Sequence, residues 1–268
     1  MESTNENKGR LILLSGPSGV GKGPLTKTLF AYMKSVKKDI VKHVLYSDRD
    51  KRPDEIDGVT YHFREKGSLR GQASPKLMVF NVHEQEQGID FDVLREELSG
   101  NDIVFLEIFH ERISDVIKKA KKALPDISVK SVFLTPLSEE DFENLGCKKN
   151  KDYKGFSVEA IIVEAVKAIV VEAVMRTKLT NRNTETPEKV LGRSKSAFQE
   201  IDKYSKDKSN YQGEFLVNHY GEDVAFLWEK LQNLVSQPRG LELALEHPEL
   251  KYIAETFNNF LEIIGCKR

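Results

Sequence analysis

Residues 11–23 read LILLSGPSGVGKG, an apolar run that passes without a break into a glycine-spaced loop closed by Gly-Lys. A short run of this kind suits a strand buried on both faces, as in a parallel sheet. The loop behind it, Gly16-Pro17-Ser18-Gly19-Val20-Gly21-Lys22-Gly23, has the spacing G-x-x-x-x-G-K. Glycines there let successive backbone N–H groups close around an anion, and a helix opening at that point adds the positive end of its dipole. Lys22 is then placed to reach the outer phosphates of a nucleotide. Taken alone, the pattern also describes a plain glycine-rich turn between strand and helix. Its context, a buried strand before and an amphipathic helix after, selects a nucleotide-binding loop.

The rest of the first half alternates in the same way. Leu25–Val36 reads as a helix with Leu25, Leu29, Tyr32, Met33 and Val36 on one face. His43–Ser47 and Val59–Phe63 are short strand candidates flanking a charged loop. Phe91–Leu98 and Arg112–Leu124 read as helices, and Ile103–Ile108 and Val129–Leu134 as strands. Strands alternating with helices predict an α/β fold, a parallel sheet flanked by helices.

The second half is helical. Gly146–Phe156 is lysine-rich and loop-like, and from Val158 the apolar positions 158, 161, 162, 165, 166, 169, 170, 173 and 174 form a helical stripe. Thr186-Pro187-Glu188 is a helix start: Thr caps, Pro fills the first turn, and Glu meets the positive end of the dipole. Phe215–Asn218 is a last strand, followed by a helix near Asp223–Val235. Pro238-Arg239-Gly240 breaks the chain before a helical tail at Leu241–Gly265.

Composition narrows the function classes. At 268 residues the chain is near the upper limit for one hydrophobic core, which predicts one domain with an appendage. The formal charge is −1, so no broad field draws nucleic acid or an anionic membrane, and a phosphate site must be built locally. Cys147 and Cys266 stand far apart without partners at metal spacing. That excludes a disulfide framework or zinc knuckle and fits a reducing, cytoplasmic compartment. Met1–Arg10 is polar and mixed in charge, unlike a secretory signal. The longest apolar stretch, Val158–Val174, carries Glu159, Glu164, Lys167 and Glu172 and is too polar to span a bilayer.

Two segments together, SGPSGVGKG and Ser47–Phe63 (SDRDKRPDEIDGVTYHF), resemble guanylate kinases. The family's R-x-x-R-x-x-E-x-x-G-x-x-Y-x-F is met by Arg49, Arg52, Glu55, Gly58, Tyr61 and Phe63. The resemblance implies a P-loop kinase that takes ATP, with Mg²⁺, at Gly16–Gly23. It would pass the terminal phosphoryl group to a nucleoside monophosphate, GMP by family default. It also implies that Arg49, Arg52 and Tyr61 hold the acceptor's phosphate. Two guanidinium forks and a phenol suit a doubly charged group, each charge-assisted bond contributing about 1.5–3 kcal/mol. Without the spacing, the same loop reads as a solvated charge cluster.

The family's lid arginines are matched by Arg182, in Lys178–Thr184, and by Arg193, with Lys178 where a further arginine is usual. Their implied role is to neutralise charge on the transferring phosphoryl group. In an unbroken helix eleven residues would separate them by about 16 Å, so the Asn183–Pro187 break must fold the chain between them. Asn218 resembles the family residue near the adenine of ATP. The resemblance covers roughly Arg10–Leu145 and Lys178–Leu234. The implied organisation is a kinase-like domain over 1–238, with an acceptor-binding subdomain at about 43–98 and an inserted helix and lid at about 146–205. A helical extension follows at 239–268. The inserted helix and the tail read as packing elements or as contacts for a protein partner.

The match has gaps. Gly23 and Pro24 stand where a Ser or Thr would ligate Mg²⁺, leaving the metal to water and phosphates. Glu107 reads either as an outer carboxylate for it or as a strand-end charge facing solvent. At the base-reading positions Leu45 replaces a serine, Leu77–Val82 lacks the expected glutamate, Gln87-Gly88-Ile89 replaces Tyr-Gly-Ser/Thr, and Phe109 replaces an aspartate. Glu84 and Glu86 are the nearby substitutes. Two readings follow: a kinase for GMP or another phosphorylated acceptor, and a nucleotide-binding pseudoenzyme working through a protein partner.

Overall fold

A computed structural model describes residues 9–53, 55–82, 85–144, 158–180, 186–206, 213–218 and 224–266. The chain forms two compact units: residues up to Leu14 with 36–131, and residues 15–35 with those from 132 onward.

In the first unit a parallel ladder runs β2 (Ile40–Lys42), β7 (Ile103–Glu107), β1 (Arg10–Ser15). Leu11–Leu14 and Val104–Leu106 are fully covered, as a continuous apolar strand sequence requires. Helix α2 (Phe91–Gly100) starts where Asp90 caps it, its carboxylate accepting from the N–H groups of Asp92 and Val93 at 2.9 and 3.2 Å. Helix α3 (Ile113–Ala123) buries Ile113, Val116, Ile117 and Ala120, one face of a 3.6-residue period.

The same unit holds a second sheet of order β4-β3-β6-β5, built from β3 (Tyr46–Ser47), β4 (His62–Phe63), β5 (Leu77–Val82) and β6 (Gln85–Asp90). Strands β3 and β4 are shorter than the sequence runs suggested. The β5–β6 hairpin carries no sequence signal of its own, because QEQGID shows no apolar alternation. Its antiparallel pairing supplies the order instead.

The second unit contains the phosphate loop, α1 (Lys22–Ser35) and the end of β8 (Ser128–Thr135), which lies beside β9 (Gly213–Val217). Its other helices are α4 (Glu139–Asn144), α5 (Val158–Thr180), α6 (Pro187–Lys206), α7 (Val224–Val235), α8 (Gly240–Glu246) and α9 (Lys251–Ile263). Helix α5 departs from the expected stripe. It covers Val171, Met175 and Leu179, while Ala165, Val166, Ile169 and Ala173 stay exposed. Val, Ile and Ala occur nearly all round this helix, so its packing partner, rather than its periodicity, selects the buried face.

The tail is part of this unit's core. Phe257 packs edge-on to Tyr32 of α1 with centroids 5.7 Å apart, and Ile253, Phe260 and Leu261 are covered. Among the described residues, no helix is long and apolar enough to cross a membrane.

Candidate active site

The phosphate loop depends on glycine at three places, Gly16 with φ +137° among them. Gly19 has φ +91° and Gly21 φ +107°, a region L-residues avoid. A Cβ on Gly21 would also lie 2.2 Å from Nδ2 of Asn218. Helix α1 opens at Lys22, whose Nζ donates to the carbonyls of Gly16 and Pro17 at 2.6 and 2.9 Å. Its ammonium is thus folded over the loop it serves.

Asn218, just past β9, is fully buried. Its N–H donates to Thr135 O at 2.8 Å, and its Nδ2 donates to Val20 O at 2.8 Å. The sequence resemblance put this residue near adenine. In the structure its amide braces the phosphate loop through Val20 O.

Two helices read as the lid meet the same loop. Arg193 on α6 donates from Nη1 to Ser18 Oγ at 2.9 Å, across 175 positions of sequence. From α5, Leu179 and Met175 press on Gly19, where a Cβ would come within 2.9 and 3.3 Å of them. Nothing in the sequence around Ser18 or Arg193 signals their contact. Helix α5 ends at Thr180 and α6 begins at Pro187, with Glu188 in its first turn. That carboxyl is held below its usual range, chiefly by its own backbone N–H and then by the Thr186 side chain. Arg182 lies outside the described residues.

The described residues do not build a Mg²⁺ site. Nothing stands within 4 Å of where a Cβ on Gly23 would be, so a hydroxyl-bearing side chain would fit and is simply missing. The Thr26 hydroxyl is turned back onto Lys22 O at 2.9 Å. Glu107, in the other unit, lies 3.8 Å from Lys42 Nζ. Among the described residues no cluster of His, Cys, Asp and Glu could hold a metal ion.

In the first unit, Arg49 forms a two-pronged ion pair with Glu55: Nη1 donates to Oε2 at 2.6 Å, and Nη2 to Oε1. Nη1 also reaches Asp50 O at 2.9 Å. The guanidinium lies over the rings of Tyr61 and Phe63, 4.9 and 5.3 Å from their centroids. Glu55 also accepts from the N–H of Arg52 at 2.9 Å, tying the loop to the pair. The structure thus brings Arg49 and Tyr61 together and leaves the Arg52 side chain exposed.

Each ionisation in this cluster follows from its neighbours. The hydrogen bond with Arg49 pulls the Glu55 carboxyl below its usual range, and the bond to Glu55 pushes Arg49 up. Burial pushes the Tyr61 phenol up, so it stays a neutral donor. A planar fork backed by aromatic faces, with a neutral phenol beside it, matches a phosphate monoester.

Of the base-reading substitutes, Glu86 lies on β6. Glu86 accepts from the backbone N–H of Arg70 at 2.9 Å and pairs with its Nε at 3.0 Å. It precedes Gln87 on β6 and so points to the opposite face. Its carboxylate is spent there. Glu84 lies outside the described residues.

Known proteins similar to this chain include guanylate kinases. The family model described as guanylate kinase matches residues 8–168. A guanylate kinase of Oceanobacillus iheyensis is 26% identical over 262 residues, covering 96% of this chain and 97% of the relative. One from Wolbachia pipientis is 32% identical over 168 residues, covering 62% and 79%. The crystal structure of guanylate kinase from Anaplasma phagocytophilum aligns over 85% of both chains, at 19% identity and a TM-score of 0.45.

Proposed function

Because this chain belongs to the guanylate kinase family, we propose that its phosphate loop, lid arginines and Arg49 cluster carry out the family's reaction. The reaction is ATP-dependent phosphorylation of GMP, giving ADP and GDP. ATP's outer phosphates take the N–H groups of Gly16–Gly23, and Lys22 exchanges its two loop carbonyls for phosphate oxygens. Arg49, Arg52 and Tyr61 take the phosphate of GMP. Arg193 and Arg182 neutralise charge that spreads over the phosphoryl oxygens in transfer. No side chain need act as a strong base, because the acceptor's phosphate oxygen is already nucleophilic. Catalysis is positioning and charge stabilisation.

The observation that carries this reading is the Arg193–Ser18 hydrogen bond, since a guanidinium tethered to the phosphate loop has a direct use in phosphoryl transfer. Mg²⁺, if carried in, rides on the nucleotide's phosphates, and none of these steps is assigned to it. The buried thiol of Cys266, which donates to Ile264 O at 3.7 Å, suits a reducing, cytoplasmic setting. A coupled ADP-release assay with GMP tests the proposal. Turnover with GMP, abolished in Lys22→Ala, is the expected result. Absence of turnover with every common nucleoside monophosphate, while ATP still binds, would overturn it.

A further inference from the structure

The small sheet is an excursion of the chain from the core ladder of the first unit. The chain enters it from β2 through residues 43–45 and leaves it at Asp90, where β6 passes directly into α2. The segment between, the Arg49 cluster included, is joined to the core by those two crossings. A side-chain contact ties them together at the base. His43 lies on the first crossing and Glu97 on the helix that follows the second, 54 positions apart, with His43 Nδ1 2.7 Å from Glu97 Oε2. The backbone N–H of His43 also donates to Phe105 O at 2.9 Å, extending the β2–β7 ladder by one bond. His43 is thus fixed to the core strand by its backbone and to α2 by its ring.

Packing does not account for a histidine at this place. Its side chain is 1% exposed. A carboxylate only accepts, so the proton of the pair sits on Nδ1. Nε2 is then left buried with no hydrogen-bond partner among the described residues. A phenylalanine would fill the same space without stranding a polar atom, which is unfavourable in a core. What the imidazole adds is the charge-assisted bond to Glu97. The Arg49 cluster, by contrast, is built within residues 49–63, from Glu55, Tyr61 and Phe63, so its own shape does not need the tie. What the tie can hold is the angle at which the small sheet leaves the core ladder. Strand β1 of that ladder runs straight into the phosphate loop at Gly16.

We propose that His43 and Glu97 are a positioning pair for phosphoryl transfer. Their hydrogen bond holds the acceptor sheet at the angle that lines up the phosphate of GMP with the phosphate delivered at Gly16–Gly23, and neither residue touches a substrate. This rests on the kinase reading above. A misplacement of about 1 Å costs transfer about a hundredfold, so loss of the tie acts on kcat and leaves the separate affinities for GMP and ATP alone.

The test compares the full chain with its His43→Phe variant, by steady-state turnover of ATP with GMP and by calorimetric titration. The titrated ligands are GMP, ATP, and an adenosine and a guanosine joined through five phosphates. The joined ligand gains affinity over the separate ones only where both sites face it at the right spacing. In the variant kcat should fall by about 10- to 100-fold and the joined ligand should bind about tenfold more weakly, while GMP and ATP each shift by less than about threefold. His43→Asn, whose amide nitrogen can stand where Nδ1 stands, should restore most of the loss. Glu97→Met removes the acceptor from a side chain that is 19% exposed, and repeats the test should His43→Phe not fold. Turnover and joined-ligand affinity unchanged in both variants would overturn the proposal, and a lowered Tm alone would make the pair a plain stabilising contact. Equal weakening of GMP by itself would also overturn it, since the tie would then shape the Arg49 site. No turnover by the wild type, with joined-ligand binding still dependent on residue 43, sinks only the kinase reading. A joined ligand that gains nothing over GMP and ATP in the wild type sinks both.

Discussion

Around the phosphate loop, the contacts are with neutral acceptors and by close steric fit. Asn218 holds Val20 O, Lys22 lies on two carbonyls, Arg193 rests on a hydroxyl, and Leu179 fills the space beside Gly19. Around Arg49 the order comes from charge: a two-pronged ion pair with Glu55, aromatic faces beneath, and a backbone N–H drawn to the same carboxylate. Both regions are suited to grip a phosphate. In the first, Lys22 and Arg193 donate to neutral oxygens that an incoming phosphate can replace. The second already pairs its guanidinium with Glu55, so it is pre-organised, and a phosphate arriving there would share Arg49 with that carboxylate.

Substitutions can break that contrast, and Arg193→Ala should do so most severely. We expect turnover to fall by about a thousandfold, as for other arginines that stabilise phosphoryl transfer, while ATP affinity shifts by less than about threefold. Steady-state kinetics with a parallel ATP titration measures both, and equal losses would remove Arg193 from the transfer step.

Arg49→Lys is next. A lysine keeps the charge but loses the fork and the stack, so the KM for GMP should rise by roughly 10- to 100-fold with the KM for ATP unchanged. A rise in both constants would mean that the two regions are not energetically separate.

Asn218→Leu should act on stability before chemistry. It strands a buried carbonyl, Val20 O, and should lower unfolding free energy by about 1–3 kcal/mol in denaturant titration. A neutral result would show that the loop does not lean on this amide.

The smallest effect is the most diagnostic of charge. The folded carboxyl of Glu55 titrates below its unfolded value of about 4.3. Its contribution is therefore complete above that unfolded value and is lost as pH falls through the depressed folded one. Amide hydrogen exchange at Arg52, corrected for intrinsic rate, should accelerate in that acid window. Exchange at Asn218, whose N–H is held by Thr135 O, should not respond to that titration. Matching responses would erase the distinction between the two regions.

Much of this was legible before any coordinates. The loop at Gly16–Gly23 follows from local sterics: positive φ and close approach demand glycine wherever the chain is placed. The spacing from Arg49 to Phe63 encodes a turn that folds on itself, with Gly58 N–H donating to Tyr61 O at 2.8 Å. The helix start at Thr186-Pro187-Glu188 was likewise written in adjacent residues.

Other features waited for tertiary structure because their cause is not local. Helix α5 is apolar on nearly every side, and only the partner it meets, Gly19 among its contacts, decides that Met175 and Leu179 go inward. Strand β6 reads as polar, and only its register against β3 and β5 turns Gln87 toward Arg49 and Glu86 away. Ser18 and Arg193 are 175 positions apart, and no pattern in either neighbourhood predicts the hydrogen bond between them. Periodicity and spacing report on a residue's own neighbourhood in the chain. Which face is covered, and which distant group arrives there, is set by pairing between segments that have no fixed separation in sequence.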